Sequence, residues 1–478
     1  MTSLDKVCAK VLKRITPNAK ERKHILRLAE VLKRRVIEAA KKADVKVEVR
    51  VEGSVAKDTW LSKEPDIDIF MRVPITMPRE AFGTVCLEIA RKATEGYRQI
   101  ERFAEHPYLE AVVDTVKVNI VPCYRVKQGK WISATDRTPF HTDYVKPLLN
   151  EKTCGEIRLL KRFMKGIGVY GAEIKIGGFS GYLCELLTLN YNFFINVLKS
   201  FADWEKAKII DIEDYYNERK DEVKKIFEEP LIIIDPVDKG RNAAAAVRKE
   251  RLDELIVAAR AFLKNPHHNF FYPPAQEAYD VKRLSQTIVS RGSALIFIKF
   301  GKVKAVPDVL WGQLYKSQKS LRKMLKQYDF RVLYDDVWSN EENLNTLIFE
   351  LEQRFLPLLK KHLGPPIERR NECEKFLLKH LRSPNTTSGP YVENCRWVVE
   401  IKRKYVDVVS LFLEKLADGG RRMGVADLIS QAIKDNLEVL ANEEIKNLYL
   451  LDPAFARFLT AYLKRKPKWL GSQIEMHP

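Results

Sequence analysis

From Lys20 to Lys42 the apolar residues Ile25, Leu28, Leu32, Val36 and Ala40 recur every three or four positions, the spacing of one face of an amphipathic helix. The opposite face is dense in Lys and Arg and reads as solvated. The period then changes: Val45, Val47, Val49 and Val51 alternate with charged residues, as in a strand buried on one side. Gly53-Ser54 breaks that strand, and Val55-Ala56-Lys57 opens a short helix with Ser54 near its N-cap. Such a turn leaves backbone N–H groups pointing outward and, with Lys57 beside them, suits a phosphate. A second strand, D-I-D-I-F, follows. Period-two geometry projects Asp66 and Asp68 from one face, with Ile67, Ile69 and Phe70 supplying a buried inner face.

Later segments extend the pattern. A helix is expected after Pro78 and a strand-rich stretch from Tyr97 to Tyr124. A helical region from Gly177 has Leu183, Leu186, Leu187, Phe194, Val197 and Leu198 as its core. A short buried strand ends at an Asp-Pro turn, Asp235-Pro236, and the stretch Asn265–Pro274 forms a Pro- and aromatic-rich joint. Beyond the joint, Ser293–Phe300, Arg331–Tyr334 and Thr346–Leu351 read as strands and Pro307–Leu325 as a Lys-rich helix. Phe376–Leu381 and Arg396–Tyr405 are basic segments flanking Ser383–Pro390, which reads as an exposed loop.

Composition adds a partner class. A chain of 478 residues has room for two to four domains. Its 83 Lys and Arg against 64 Asp and Glu give a formal charge of +19, which points to a polyanion such as nucleic acid. No apolar run is long enough to span a membrane, and the N-terminus lacks a signal-peptide core. Seven dispersed cysteines without a C-x-x-C pair read as reduced thiols, not zinc ligands or disulfides.

The Asp66/Asp68 pair carries the chemistry. Two like charges side by side are costly unless a cation sits between them, and Mg²⁺ favours a few carboxylates, water and phosphate oxygens. A lone D-x-D is common on surface strands. The phosphate cradle just upstream is what turns the pair into a metal-dependent nucleotide site.

G-S-x-A-K-x-T-W-L followed by D-I-D-I-F resembles the signature of archaeal-type (class I) CCA-adding enzymes, tRNA nucleotidyltransferases of the class that also resembles eukaryotic poly(A) polymerases. A-E-H-P-Y (104–108), K-V-N-I-V-P-C-Y (117–124), D-R-T-P-F-H (136–141), E-I-R-L-L-K (156–161), G-V-Y-G-A-E (168–173) and D-P-V-D-K-G-R-N (235–242) extend the resemblance over nearly the whole chain. It implies an α+β multidomain fold. Residues 1–150 would be a nucleotidyltransferase (polymerase-beta-like) palm head, and 151–265 a helical neck with a base-selection segment. Residues 266–478 would be a small α/β body and a tail binding the tRNA acceptor stem and T-loop. It implies template-independent addition of C, C and A from CTP and ATP, two Mg²⁺ ions and a cytoplasmic location, and leaves room for a homodimer.

By the same resemblance Asp66 and Asp68 hold metal. Ser54, Lys57, His141, Lys161 and Tyr170 bind triphosphate, Thr138 the sugar, and Arg241 the base with Asp238 in support; His106 lies near the base. Lys57 stands where relatives commonly carry Arg, which keeps the charge and loses the planar fork. Lys402, Arg403 and Lys404 suit phosphate contacts in the tail.

One departure is serious. Asn119 occupies the place of the third metal-site carboxylate, and an amide offers an oxygen but neither charge nor base. The loss would cost on the order of several kcal/mol of transition-state stabilisation. Asp114, an odd offset of five away, falls on the opposite strand face. The sequence leaves open an introduced substitution, a natural enzyme with a rearranged site, or a catalytically inactive tRNA-binding homologue. The intact state of the other matched positions favours the first. A related RNA nucleotidyltransferase adding A tails is the further rival.

Overall fold

The computed structural model describes residues 2–103, 106–205, 208–217 and 219–470. It divides into two compact units, one formed by residues up to Ala275 together with those from Lys466 onward, the other by Gln276–Arg465.

The first unit begins with α1 (Ser3–Ile15), α2 (Ala19–Lys42), β1 (Glu48–Glu52), α3 (Gly53–Ala56), β2 (Asp66–Val73), α4 (Val85–Ala93), β3 (Arg98–Phe103), β4 (Pro107–Val113) and β5 (Val116–Tyr124). The predicted amphipathic helix is α2, started by the Asn18 side chain, which accepts from the Glu21 N–H. Its apolar stripe is buried: Ile25, Leu32 and Val36 pack with Ile67, Ile69, Val118 and Ile120 in one core. The five strands form one sheet in the order β1-β2-β5-β4-β3, with β2 and β5 parallel and the other neighbours antiparallel.

The other face of this sheet carries the polar residues. Phe70 lies on that side, packed with Val121, Cys123 and Tyr108, and so does not belong to the inner face expected for it. Even positions of β2 all point the same way, so Phe70 shares its face with Asp66 and Asp68. Asp114 is not on a strand. With Thr115 it makes the two-residue turn between Val113 and Val116, at φ values of 48° and 69°.

The same unit continues with α5 (Thr138–Val145), α6 (Glu151–Ile167), α7 (Gly181–Tyr191), α8 (Phe194–Ala202), β6 (Lys208–Asp211), α9 (Lys220–Ile226), β7 (Leu231–Asp235), β8 (Asp238–Asn242) and α10 (Lys249–Lys264). Strands β6, β7 and β8 form a small sheet. The helices enclose a second core in which Phe163, Phe194, Phe262, Phe270 and Phe271 meet. Trp469 stacks on Phe270 with ring centroids 5.0 Å apart.

The second unit contains α11 (Val281–Arg291), β9 (Ala294–Phe300), α12 (Pro307–Gln327), β10 (Val332–Ser339), β11 (Asn345–Leu351), β12 (Leu359–Pro366), α13 (Arg370–His380), β13 (Thr386–Glu393), β14 (Arg396–Lys402) and β15 (Leu437–Ala441). Its sheets are β10-β11-β9-β15 and β12-β14-β13. The expected loop Ser383–Pro390 is therefore mostly strand: β13 pairs with β14 through a shifted register, which supplies backbone partners that its Thr, Ser, Gly and Pro content does not advertise. Of the basic residues noted near there, Arg403 donates to the carbonyl oxygens of Pro357 and Leu359 and Lys404 pairs with Glu414.

Candidate active site

Strand register builds the first part of the site. Asp66 lies opposite Lys117 and Asp68 opposite Asn119, while Glu110 on β4 lies opposite Asn119 and Glu52 on β1 opposite Asp68. Cross-strand partners share a face, so these residues form two adjacent rows on the open side of the sheet. The Asn119 Nδ2 donates to Asp68 Oδ1 at 2.9 Å, and the Asn119 Oδ1 is buried without a partner. Gly53, at φ 69°, lies against the same carboxylate: a Cβ there would stand 2.1 Å from Asp68 Oδ2. The α3 turn, with Glu52 and not Ser54 as its N-cap, closes onto the carboxylate because residue 53 has no side chain.

Burial pushes the Asp68 carboxyl up to about 6, more than its bond from Asn119 offsets, and burial also raises Asp66. Among the described residues Asp68 is hydrogen-bonded by a neutral amide and by no cation, and the charges of Lys117 and Lys57 offset its burial only in part. Hard oxygen donors in that state suit a divalent cation such as Mg²⁺. Among the described residues no three His, Cys, Asp or Glu side chains gather as a metal-holding group; the donor set is two carboxylates and an amide oxygen.

The second part is a buried ion cluster between α6 and α7. Glu185 accepts from Lys57 Nζ at 2.5 Å through one oxygen, and from Lys161 Nζ at 3.2 Å and the Thr59 hydroxyl at 2.6 Å through the other. Lys161 also donates to Thr59 Oγ1 at 3.0 Å. Burial would raise the Glu185 carboxyl, but the two ammonium groups outweigh it and hold it at about 2. Burial lowers Lys161, and Glu185 opposes that fall. Gly181, at the start of α7, makes room here. A Cβ on it would lie 3.0 Å from the Tyr170 hydroxyl and 3.6 Å from Lys161 Nζ, so Tyr170 and Lys161 converge over a bare backbone.

The third part centres on Asp235. His141 Nε2 donates to its Oδ2 at 3.0 Å, Arg241 Nη1 donates to the same oxygen at 2.5 Å, and Tyr182 donates to Oδ1 at 2.9 Å. The His141 ring stacks on Tyr182 with centroids 4.0 Å apart, and Lys57 Nζ lies 5.7 Å from the Tyr182 ring centre, linking this group to the ion cluster. Burial would raise Asp235, but the bond from His141 and the Arg241 guanidinium hold it at about 2. Burial also pulls His141 below its ordinary value, so the neutral imidazole is the donor. Asp238, expected beside Arg241, instead pairs with Arg137 at 2.7 Å.

Models of three families match consecutive stretches: a nucleotidyltransferase domain over residues 33–141, the second domain of tRNA nucleotidyltransferase over 155–272, and the C-terminal domain of CCA-adding enzyme over 291–442. The chain is 37% identical over 441 residues to the CCA-adding enzyme of Methanosarcina barkeri, covering 92% of this chain and 94% of that protein. It is 35% identical to that of Methanothermobacter thermautotrophicus (90% and 96% covered) and 35% identical to that of Pyrobaculum islandicum (88% and 95%).

The chain belongs to the CCA-adding enzyme family. Its first unit is a nucleotidyltransferase of mixed helix and sheet, and nucleotidyltransferases of this kind work with divalent metal.

The structure brings Asp66, Asp68 and Asn119 onto one face of the sheet, Lys57, Lys161 and Tyr170 into one cluster, and His141 and Arg241 onto one carboxylate. Three expected residues stand apart from those bonds. Ser54 lies inside α3, and Thr138 begins α5. His106 bonds Thr135 at 2.8 Å and packs edge-on against Phe82; Ala104 and Glu105 of its motif lie outside the described residues. Sequence reading missed Glu185, Asp235, Tyr182 and Gly181. Glu185 did carry a signal, a single charge inside the apolar run Y-L-C-E-L-L.

Proposed function

We propose that this chain adds C, C and A to the 3′ ends of tRNA from CTP and ATP, without a nucleic-acid template, by divalent-metal-dependent nucleotidyl transfer. The observation that carries the reading is the side-by-side placement of an under-compensated Asp66/Asp68 pair and two ammonium groups within one unit. Asp66 and Asp68 would hold Mg²⁺, which when bound would supply positive charge against the triphosphate and lower the pKa of the attacking 3′-hydroxyl. Two Mg²⁺ ions are what the family resemblance implies.

Lys57 and Lys161 share one carboxylate, so the cluster keeps one positive charge in excess for the triphosphate, with the Tyr170 hydroxyl, Ser54 and His141 as hydrogen-bonding partners. Thr138 receives the sugar, and His106 closes the base side. Asp235 anchors Arg241 through Nη1, leaving the other guanidinium donors for the acceptor edge that cytosine and adenine share. The second unit holds the acceptor stem and T-loop through basic groups and backbone shape. The enzyme works in the cytoplasm; among the described residues no helix is long and apolar enough to cross a membrane.

The test is extension of a tRNA lacking its CCA end, with Mg²⁺ and CTP and then ATP, by this chain and by its Asn119→Asp, Asp66→Ala and Lys57→Ala forms. The unaltered chain is expected to extend to CCA. Asp66→Ala is expected to lower incorporation by about a thousandfold or more while leaving tRNA affinity nearly unchanged. Unchanged incorporation in Asp66→Ala sinks the proposal. The hydrogen bond that the Asn119 amide donates to Asp68 favours one rival, an inactive tRNA binder. It predicts salt-sensitive tRNA binding and no extension by either the unaltered or the Asn119→Asp chain.

A further inference from the structure

Helices α1 and α6 pack against each other: Val11 and Ile15 share a core with Leu159 and Phe163, and a Cβ on Gly155 would stand 3.3 Å from the Leu12 side chain. That contact gathers basic residues of both helices round Tyr272. The Arg14 guanidinium carbon lies over the Tyr272 ring, 3.9 Å from its centre, and that of Arg162 lies 4.7 Å from the same centre. His268 stacks on the ring with centroids 4.7 Å apart. Each cation gains from the electron-rich face of the ring, yet two guanidinium groups drawn to one ring also repel each other.

The carboxylates nearby leave this charge unbalanced. Glu64 accepts from Arg162 at 3.1 Å through one oxygen and from Lys165 at 2.5 Å through the other. The other acids of these elements are engaged elsewhere. Glu21 accepts from the Ser62 hydroxyl and the Lys63 N–H, Asp5 from the Thr2 N–H, and Glu156 from the Phe194 N–H. Among the described residues Arg14 and Lys10, both exposed, make no ion pair. Four cations therefore face one carboxylate at ion-pair distance. The excess acts on its neighbours: burial lowers the His268 imidazole, and the charges of Arg14 and Lys10 lower it further. A cation in the last turn of a helix is ordinary, which accounts for Arg14 and Lys165 one at a time. It does not account for the shortage of carboxylates.

A guanidinium seated on a ring keeps the N–H donors of its planar edge, and that edge matches two oxygens of a phosphate. Glu64 already imitates such a ligand, bridging a guanidinium and an ammonium with a side chain 41% exposed, so an incoming anion can reach its place. The patch adjoins the site described above. The Lys165 ammonium lies 5.1 Å from the Tyr170 ring centre, and its charge, with that of Lys117, opposes the effect of burial on Asp66.

We propose that Arg14, Arg162 and Lys165 form a second phosphate-binding site beside the metal pair, in which Glu64 holds the place of a phosphate until one arrives. The phosphate is either a backbone phosphate of the RNA or the pyrophosphate that nucleotidyl transfer releases. The inference rests on the nucleotidyltransferase reading above for these two sources only.

The test measures affinity of the full chain for a tRNA lacking its CCA end, by fluorescence anisotropy between about 50 and 200 mM salt, and for inorganic pyrophosphate, by calorimetry. Arg14→Met removes the charge and keeps an apolar contact with Tyr272; Glu64→Gln removes the competing carboxylate. For whichever ligand occupies the site, Arg14→Met is expected to weaken binding about fivefold and Glu64→Gln to tighten it about as much. If the ligand is RNA, the salt slope also falls by about one in Arg14→Met; if it is pyrophosphate, the calorimetric affinity alone moves. Glu30→Gln, at an exposed carboxylate of α2, controls for net charge and is expected to change neither affinity.

Opposite signs in Arg14→Met and Glu64→Gln are what a purely structural patch does not produce. Unchanged affinities for both ligands, weaker binding by Glu64→Gln, or an equal gain from Glu30→Gln would each overturn the inference and leave the functional reading standing. Failure of the unaltered chain to bind tRNA would take down the functional reading, and the pyrophosphate affinities would then decide the site alone.

Discussion

Asp68 and Glu185 are both carboxylates enclosed in the first unit, and their surroundings are opposite. Asp68 receives one hydrogen bond, from the Asn119 amide, and burial leaves its carboxyl at about 6. Glu185 receives two ammonium groups and a hydroxyl and sits at about 2 despite deeper burial. Enclosure is therefore not what separates them. The difference is whether the chain supplies the counter-charge itself or leaves it to a ligand. Glu185 holds protein parts in place; Asp68 is kept short of compensation, and a binding site for a cation is what that shortage amounts to.

Removing each charge sharpens the contrast, because the expected signs differ. Glu185→Gln leaves Lys57 and Lys161 facing one another without a carboxylate and is expected to cost about 3–5 kcal/mol, measured by chemical denaturation of the first unit. A loss below about 1 kcal/mol would mean that water reaches those ammonium groups, as at an exposed pair. Asp68→Asn is expected to stabilise the metal-free protein by about 1–2 kcal/mol near neutral pH, since it deletes a charge that folding penalises. The sign follows from linkage. A carboxyl raised above its unfolded value lends stability at low pH, and that contribution is lost as pH rises from about 4 through about 6. A melting temperature lowered by Asp68→Asn would break the comparison.

The smallest expected effect is on the ion itself. Proton and metal compete for the same oxygens, so Mn²⁺ affinity measured by calorimetry is expected to fall about tenfold between pH 7 and pH 5. The Glu185 cluster predicts no such dependence over that range, because its carboxyl stays ionised down to about 2. Loss of Mn²⁺ affinity only below pH 4 would show that Asp68 is better compensated than its bonds imply.

Local pattern carried much of this fold. Helix α2, the β1–α3–β2 turn and helix α12 are each written in a period that a short window of sequence reveals. Strand β13 is not, because its Thr, Ser, Gly and Pro residues become a strand only through pairing with β14. The site divides the same way. Asp66 and Asp68 lie two residues apart and are legible together. Asp235 was read as a turn residue, since its partners His141 and Tyr182 lie 94 and 53 residues away along the chain. Lys117 has a place at the site only through register, which sets it opposite Asp66.

Trp469, stacked on Phe270, has a consequence for how the protein is made. The first unit receives it only after residues 276–465, which fold among themselves, have been added to the chain. During synthesis the metal pair and the ion cluster emerge early, yet the aromatic core of the same unit waits for its Trp469 ring until all of residues 276–465 have been made. The second unit is thus an insertion that delays closure of the first, and a chain stopped short of residue 466 would carry all of the second unit but leave the core of the first without its Trp469 ring.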